Sequence, residues 1–228
     1  MTPAVRTLGA FALLALAGPA EAQQRAVFAL LPFENSGSYG QDKEVFEALE
    51  LGLPAMLGRA LGRHAGAGVA ERGRVSQAVE GLGLGAGRRV DAATAAQVAR
   101  STGARYTVTG SFSDFYGKFR VNARVVDAET GQILEVVAND DPKLQDRAQL
   151  SAIVQAVGDK IAAAAGLPAA GGAAPSAVPT EAITDFSRGL LHESRGDRAR
   201  ALELYQRAAS AAPAFEEARA GVQRMRGS

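Results

Sequence analysis

The chain has no cysteine and no tryptophan, and only two histidines in 228 residues. Without cysteine there is no disulfide framework, no thiolate metal site, no cysteine nucleophile and no lipid-bearing cysteine anchor. His64 and His192 lie far apart in sequence, so a zinc site would have to lean on carboxylates. Aromatic residues make up 6% of the chain and the net charge is +1, with no basic block, which excludes the electrostatic footprint of a nucleic-acid binder. What is present is globular in kind: 47% hydrophobic and 21% charged residues, enough to bury a core. The length accommodates one ordinary domain and something small beside it.

Residues 1–22 read as a targeting segment. One positive charge, Arg6, precedes the apolar run Leu8–Ala17, then Gly18-Pro19, and Ala20-Glu21-Ala22 forms an A-x-A cleavage site before Gln23-Gln24. The run is too short for a bilayer core, which takes roughly 20 residues, and has the three-part form of a secretory signal. A buried N-terminal helix is the competing account. The sequence thus predicts an exported, periplasmic protein beginning at Gln23, with no membrane span after cleavage.

Ala26–Phe33 (AVFALLPF) is a short apolar run suited to a buried strand, with Pro32 marking its exit. Glu34–Asp42 is polar and predicted to be a loop. Lys43–Arg63 carries Val45, Leu49, Leu53, Met56, Leu57 and Leu61 at helical spacing, and Pro54 is expected to kink or divide that helix. A short strand is predicted near Val69, then a helix over 72–82. Gly81–Gly87 (GLGLGAG) lacks the Lys-Ser/Thr ending of a phosphate loop and follows a helix, so it reads as a turn. Asp91 should cap a helix over 92–102 that stops at Gly103.

The stretch 105–137 organises the rest. Tyr106, Val108 and Phe112 alternate inward, as do Phe119, Val121, Ala123 and Val125, with Arg120, Asn122 and Arg124 on the other face. Turns at Tyr116-Gly117-Lys118 and Asp127–Gly131 make this an antiparallel meander with one half-solvated face. Residues 140–146 break the pattern, and a helix over 150–165 follows, with Leu150, Ile153, Val154, Val157 and Ile161 inward. The Ala/Gly/Pro-rich residues 167–179 read as a linker, and Thr180 is expected to cap a new helical segment.

The order of these segments, above all GARYTVTGSFSDF and VVDAETGQIL, resembles the bacterial curli-secretion component (CsgG-like) superfamily, whose fold is shared with the amino-terminal domain of TolB. The resemblance spans about residues 25–165. It implies an α/β (α+β) fold, a mixed sheet flanked by helices, and non-catalytic protein–protein work in the cell envelope. A channel subunit is the alternative it carries. The short turns and the absence of a spare amphipathic hairpin weigh against a pore, since each membrane strand needs roughly 9–11 residues. Residues 182–215 are similar to one tetratricopeptide repeat through Gly189, Ala201, Tyr205, Ala208 and Pro213, with Gly196-Asp197 at its turn. A third helix over 215–225 would cover the pair.

No catalytic constellation stands out. Asp127, Glu129, Asp140 and Asp141 could gather carboxylates for a hydrolase or calcium, but turns ordinarily use such residues for local hydrogen bonds. The histidines and serines lack an evident partner. No cofactor is implied. The expected organisation is a signal at 1–22, an α/β domain at 23–166, a linker at 167–179 and a helical segment at 180–228. The expected role is an envelope accessory factor that binds other envelope proteins and has scope for self-association. The candidate contacts are a helical groove lined by Phe186, Leu190, Tyr205 and Phe215, and a sheet surface carrying Tyr116, Phe119, Arg120 and Arg124.

Overall fold

The structure is a computed structural model that describes residues 25–40, 42–84, 90–139, 145–172 and 176–227. The signal segment, residues 85–87 at the end of the Gly-rich run and Asp140-Asp141 lie outside the described residues.

β1 (Ala26–Leu30) is the buried apolar strand that the sequence predicts, and it is parallel to β3 (Ala67–Val69) on one side and β4 (Tyr106–Phe115) on the other. β4, β5 (Lys118–Asp127) and β6 (Ile133–Ala138) form the antiparallel meander, giving a mixed sheet of order β3-β1-β4-β5-β6. Two short strands fall in stretches expected to be irregular. β2 (Glu34–Asn35) pairs parallel with β4, and β7 (Gln145–Asp146) pairs with β5 beside the hairpin turn. Both are too short for alternation to show in sequence.

On one face, α1 (Lys43–Leu61) and α4 (Leu150–Ala164) cover the sheet with Leu49, Leu53, Leu57, Ile153 and Val157, which meet Phe28, Val108, Phe112 and Val121. On the other, α2 (Arg72–Gly81) and α3 (Ala92–Thr102) pack Val75, Val79 and Val98 against Ala29, Leu31 and Val126. Asp91 caps α3 by accepting from the Thr94 N–H, and Gly103 ends it in the left-handed conformation, as predicted. α1 is a single helix with Pro54 inside it, so the division expected there does not occur.

α5 (Thr180–Ser194), α6 (Arg198–Ala211) and α7 (Glu216–Arg226) form a further layer on α1. Thr180 is not the cap: Pro179 holds that place, and the Thr180 hydroxyl donates to the carbonyls of Arg147 and Ala148. Ile183, Phe186, Leu190, Tyr205 and Phe215 belong to the same apolar core as α1 and α4. Small residues set this closeness. A Cβ on Gly52 of α1 would lie 1.9 Å from Ser187 Oγ, and one on Gly189 or Gly221 would strike the Tyr205 ring.

Ion pairs rim the contact. Arg188 grips Glu44 with two nitrogens at 3.0 and 3.1 Å, and Arg59 reaches Glu217 at 2.7 Å. Glu193 accepts from Arg72 of α2, from Arg224 of α7 and from the Tyr205 hydroxyl. Burial alone would raise the Glu193 carboxyl. The hydrogen bonds from Arg224, Tyr205 and Arg72 outweigh burial and bring it down to about 2.

Candidate protein-binding face

Among the described residues the two faces of the sheet are covered unequally. α1 and α4 span the Phe112–Phe119 side, whereas α2 and α3 lie over β1, β4 and the near end of β5. The far half of that second face carries Ser111, Ser113 and Phe115 of β4, Arg120, Asn122 and Arg124 of β5, and Val136 of β6. They share it because side chains alternate along each strand and the register pairs Ser113 with Arg120, Ser111 with Asn122 and Arg124 with Val136. Arg120 Nε approaches Asn122 Oδ1 at 3.4 Å, and Arg124 donates to the Val90 carbonyl at 3.1 Å.

An aromatic group ends this strip. Tyr39 and Phe115 stack with centroids 5.5 Å apart and are 54% and 42% exposed; Tyr116, at the hairpin apex, is 83% exposed. Both residues of the two-residue turn have positive φ, 52° at Tyr116 and 88° at Gly117, the backbone of a type I′ hairpin. Asn or Gly ordinarily fills the first position. A tyrosine there pays ~1–2 kcal/mol in backbone sterics, and strain of that kind persists where the surroundings hold it.

The surroundings do hold it. Buried Asp114 accepts from the Gly117 N–H at 2.6 Å, and its other oxygen meets Arg147 at 2.9 Å. The Arg147 N–H donates to the Gly117 carbonyl at 2.7 Å. On the opposite side, Asn35 Oδ1 folds its loop by accepting from the Ser38 N–H, Ser38 Oγ accepts from the Asp114 N–H, and the Tyr39 N–H donates to the Asp114 carbonyl. The rings therefore stand on a fixed base. Rigid aromatic side chains with few rotatable bonds lose little entropy on contact and are the residues that most often anchor interfaces.

Of the residues singled out from sequence, Tyr116, Arg120 and Arg124 lie on this strip. Phe119 does not: it is fully buried on the opposite face, stacked on Phe112 at 5.6 Å. Phe186, Leu190, Tyr205 and Phe215 are also interior, which corrects the expectation of an open groove. The space such a groove would offer is filled by the chain's own α1, with Arg59 over the Phe215 ring at 5.8 Å. Tyr39 and Phe115 are the residues that sequence reasoning missed. Phe115 continues the odd-numbered alternation of β4, a usable signal, while Tyr39 is brought in only by the turn of its loop.

No protein-family model matches the chain. No curated protein matches it in sequence. Its structure is similar to several solved structures. LpoB of Escherichia coli, solved by NMR, is 18% identical with a TM-score of 0.40, covering 60% of this chain and 81% of that one. Lipoprotein GNA1162 of Neisseria meningitidis is 18% identical with a TM-score of 0.39, covering 60% and 96%. TolB of Acinetobacter baumannii is 16% identical with a TM-score of 0.36, covering 63% of this chain and 28% of that one.

The carboxylates raised from sequence have local tasks where they are described. Asp127 Oδ1 accepts from the Glu129 and Thr130 N–H groups, and its other oxygen faces Arg105 at 3.5 Å. An open cleft of about 660 Å³ lies next to this turn, lined by Arg25, Arg100, Arg105 and Glu129. His64 contacts Asp159 and the Pro168 carbonyl, and His192 contacts Glu44 and Asp197. Among the described residues no group of three or more His, Asp or Glu is placed to hold a metal, and no helix is long and apolar enough to cross a membrane.

Proposed function

We propose that this chain is an exported, non-catalytic accessory factor of the bacterial cell envelope that works by binding other envelope proteins. The observation that carries the proposal is the pinned aromatic apex: Tyr39, Phe115 and Tyr116 exposed together at a strained turn whose Gly117 N–H is held by Asp114 and whose Gly117 carbonyl is held by the Arg147 N–H. They anchor the contact, and Arg120 and Arg124 on the adjoining strip give it polar definition. The meander is the rigid scaffold. The leader read in residues 1–22 and the resemblance to the curli-secretion and TolB amino-terminal superfamily support export and envelope work. In the proposed organisation, an α/β unit at 23–166 is followed by residues 167–179 and a repeat-like helical segment at 180–228. That division is one of sequence, because the packing across it is continuous. Neither cofactor nor nucleic acid has a part in the proposal.

The test is site-specific photo-crosslinking in cells. A photoreactive residue at position 116 should capture envelope proteins, and Phe115→Ser introduced alongside should reduce the capture. The same residue at exposed Arg74 on α2 is the control. Equal capture from positions 74 and 116 would sink the proposal.

A further inference from the structure

The sheet ends in an unusual edge. Ile133, Leu134 and Val136 are exposed large apolar side chains on one six-residue strand, β6, and Val136 is 58% exposed. The hydrogen-bond phase of that strand is fixed: the Asn139 N–H donates to the Val121 carbonyl, and the register carries Val137 and Glu135 toward β5 in the same way. The main-chain groups of Val136 and Ala138 therefore point away from the sheet. Two charged side chains sit on them. Glu135 Oε1 approaches the Val136 N–H at 3.3 Å, and Lys160 Nζ meets the Ala138 carbonyl at 2.8 Å. An apolar edge with outward main-chain groups is a template for another strand, and such edges are closed or guarded in native proteins.

We propose that β6 pairs with β6 of a second copy of this chain, antiparallel about a two-fold axis at Val136. The register follows by elimination. Outward main-chain groups must meet outward groups, so the axis can pass at any residue from Leu134 to Ala138. Leu134 sits at the bulge between Val125 and Val126, Glu135 would set like charges opposite each other, and Val137 or Ala138 would leave no more than residues 136–138 of the strand paired. Centring on Val136 places Val136 against Val136 of the copy and Leu134 against Ala138, apolar on apolar. It sets Glu135 opposite Val137 and not opposite its own counterpart, avoiding a like-charge pair. Ala138, whose carbonyl Lys160 holds, comes to face Leu134 of the copy, so each ammonium meets the carboxylate of the copy's Glu135. One two-fold axis thus closes both edges without leading to a filament. This inference does not depend on the proposed envelope role.

The test uses the lack of native cysteine. In a hydrogen-bonded antiparallel pair the two Cα atoms are ~5.5 Å apart, within disulfide reach of roughly 4.4–6.8 Å. Val136→Cys should form a crosslinked dimer under mild oxidation, whereas Val69→Cys on the opposite, β3 edge should not. By sedimentation equilibrium the parent chain should dimerise, and Val136→Lys should raise the dimer Kd at least tenfold. Glu135→Lys should weaken the dimer similarly, and Glu135→Lys with Lys160→Glu should restore it, which guards against a Val136 variant that merely misfolds. A parent chain that stays monomeric at about 1 mM, where association yields only ~4 kcal/mol, overturns the proposal. So does a dimer indifferent to both substitutions, or protection of Val136→Cys by a segment of another protein and not by a second copy.

Discussion

The main-chain N–H of Phe33 donates to the carbonyl of Glu50 at 2.9 Å. That carbonyl is the one Pro54, four residues on, cannot serve, because proline has no N–H. The exit of β1 thus supplies the bond that α1 lacks, and the helix runs on through its proline. Phe33 also fits against Gly110, where a Cβ would fall 2.4 Å from the ring. One residue therefore ties the first strand, the first helix and the centre of the meander together.

Pro54→Ala should accordingly gain little. An interior proline ordinarily costs a helix ~3 kcal/mol relative to alanine, partly through the orphaned carbonyl. Here the carbonyl is occupied and the proline is buried, so urea unfolding should show a change below ~1 kcal/mol. A gain near the full ~3 kcal/mol would mean that the Phe33 bond contributes nothing.

Gly52→Ala should loosen the helical layer. The new methyl would lie 1.9 Å from Ser187 Oγ and 2.6 Å from its Cβ, on two helices that cannot part without opening the core. Overpacking of this kind costs roughly 1–3 kcal/mol. The midpoint of unfolding should fall and protease susceptibility beyond Pro179 should rise, while Ser187→Gly in the same chain should recover most of both. If Ser187→Gly fails to rescue, the close approach of α1 and α5 is not the cause.

Much of this fold is legible in the sequence. Alternation identifies β4, β5 and β6, three- and four-residue spacing identifies α1 and α4, and Asp91 and Gly103 bound α3 as capping chemistry requires. What is not legible is what packs on what. The apolar faces of α5 and α6 are evident, but a face open to a partner and a face filled by α1 have the same periodicity. Gly52 is the residue that decides between them, and a lone glycine in a helix gives no sign of its neighbour. The site divides along the same line: Tyr116 is exposed because it sits at a turn, whereas Tyr39 joins it through main-chain bonds that no spacing rule reveals.

Acid should weaken the helical layer through Glu193. Its folded-state value of about 2 lies below the ordinary 4.5, so its contribution is present above pH ~4.5 and is lost as pH falls from there toward 2. The gap corresponds to on the order of 3 kcal/mol for a carboxylate this enclosed. Glu193→Gln should lower stability at neutral pH by a similar amount. The parent and variant should converge as pH drops below about 3, if this carboxylate is what differs between them. Denaturant unfolding across pH 2–7 checks both, and a gap independent of pH would mean that the three donors do not depend on the charge of Glu193.

Tyr116→Asn separates stability from binding. Asparagine tolerates positive φ at this turn position far better than tyrosine, so the substitution should stabilise the chain by about 1 kcal/mol. Nothing buried is lost, since the tyrosine ring is mostly in solvent. A residue selected for folding alone would be Asn or Gly here, and the bonds from Asp114 and Arg147 would then support a turn that needs little support. With tyrosine in place, the same bonds hold an aromatic ring out from the sheet beside Tyr39 and Phe115. The variant should therefore melt higher yet capture less partner, with Phe115→Ser reducing capture as well. If Tyr116→Asn is more stable and captures partner undiminished, the apex is only a turn and the contact lies elsewhere on the strip.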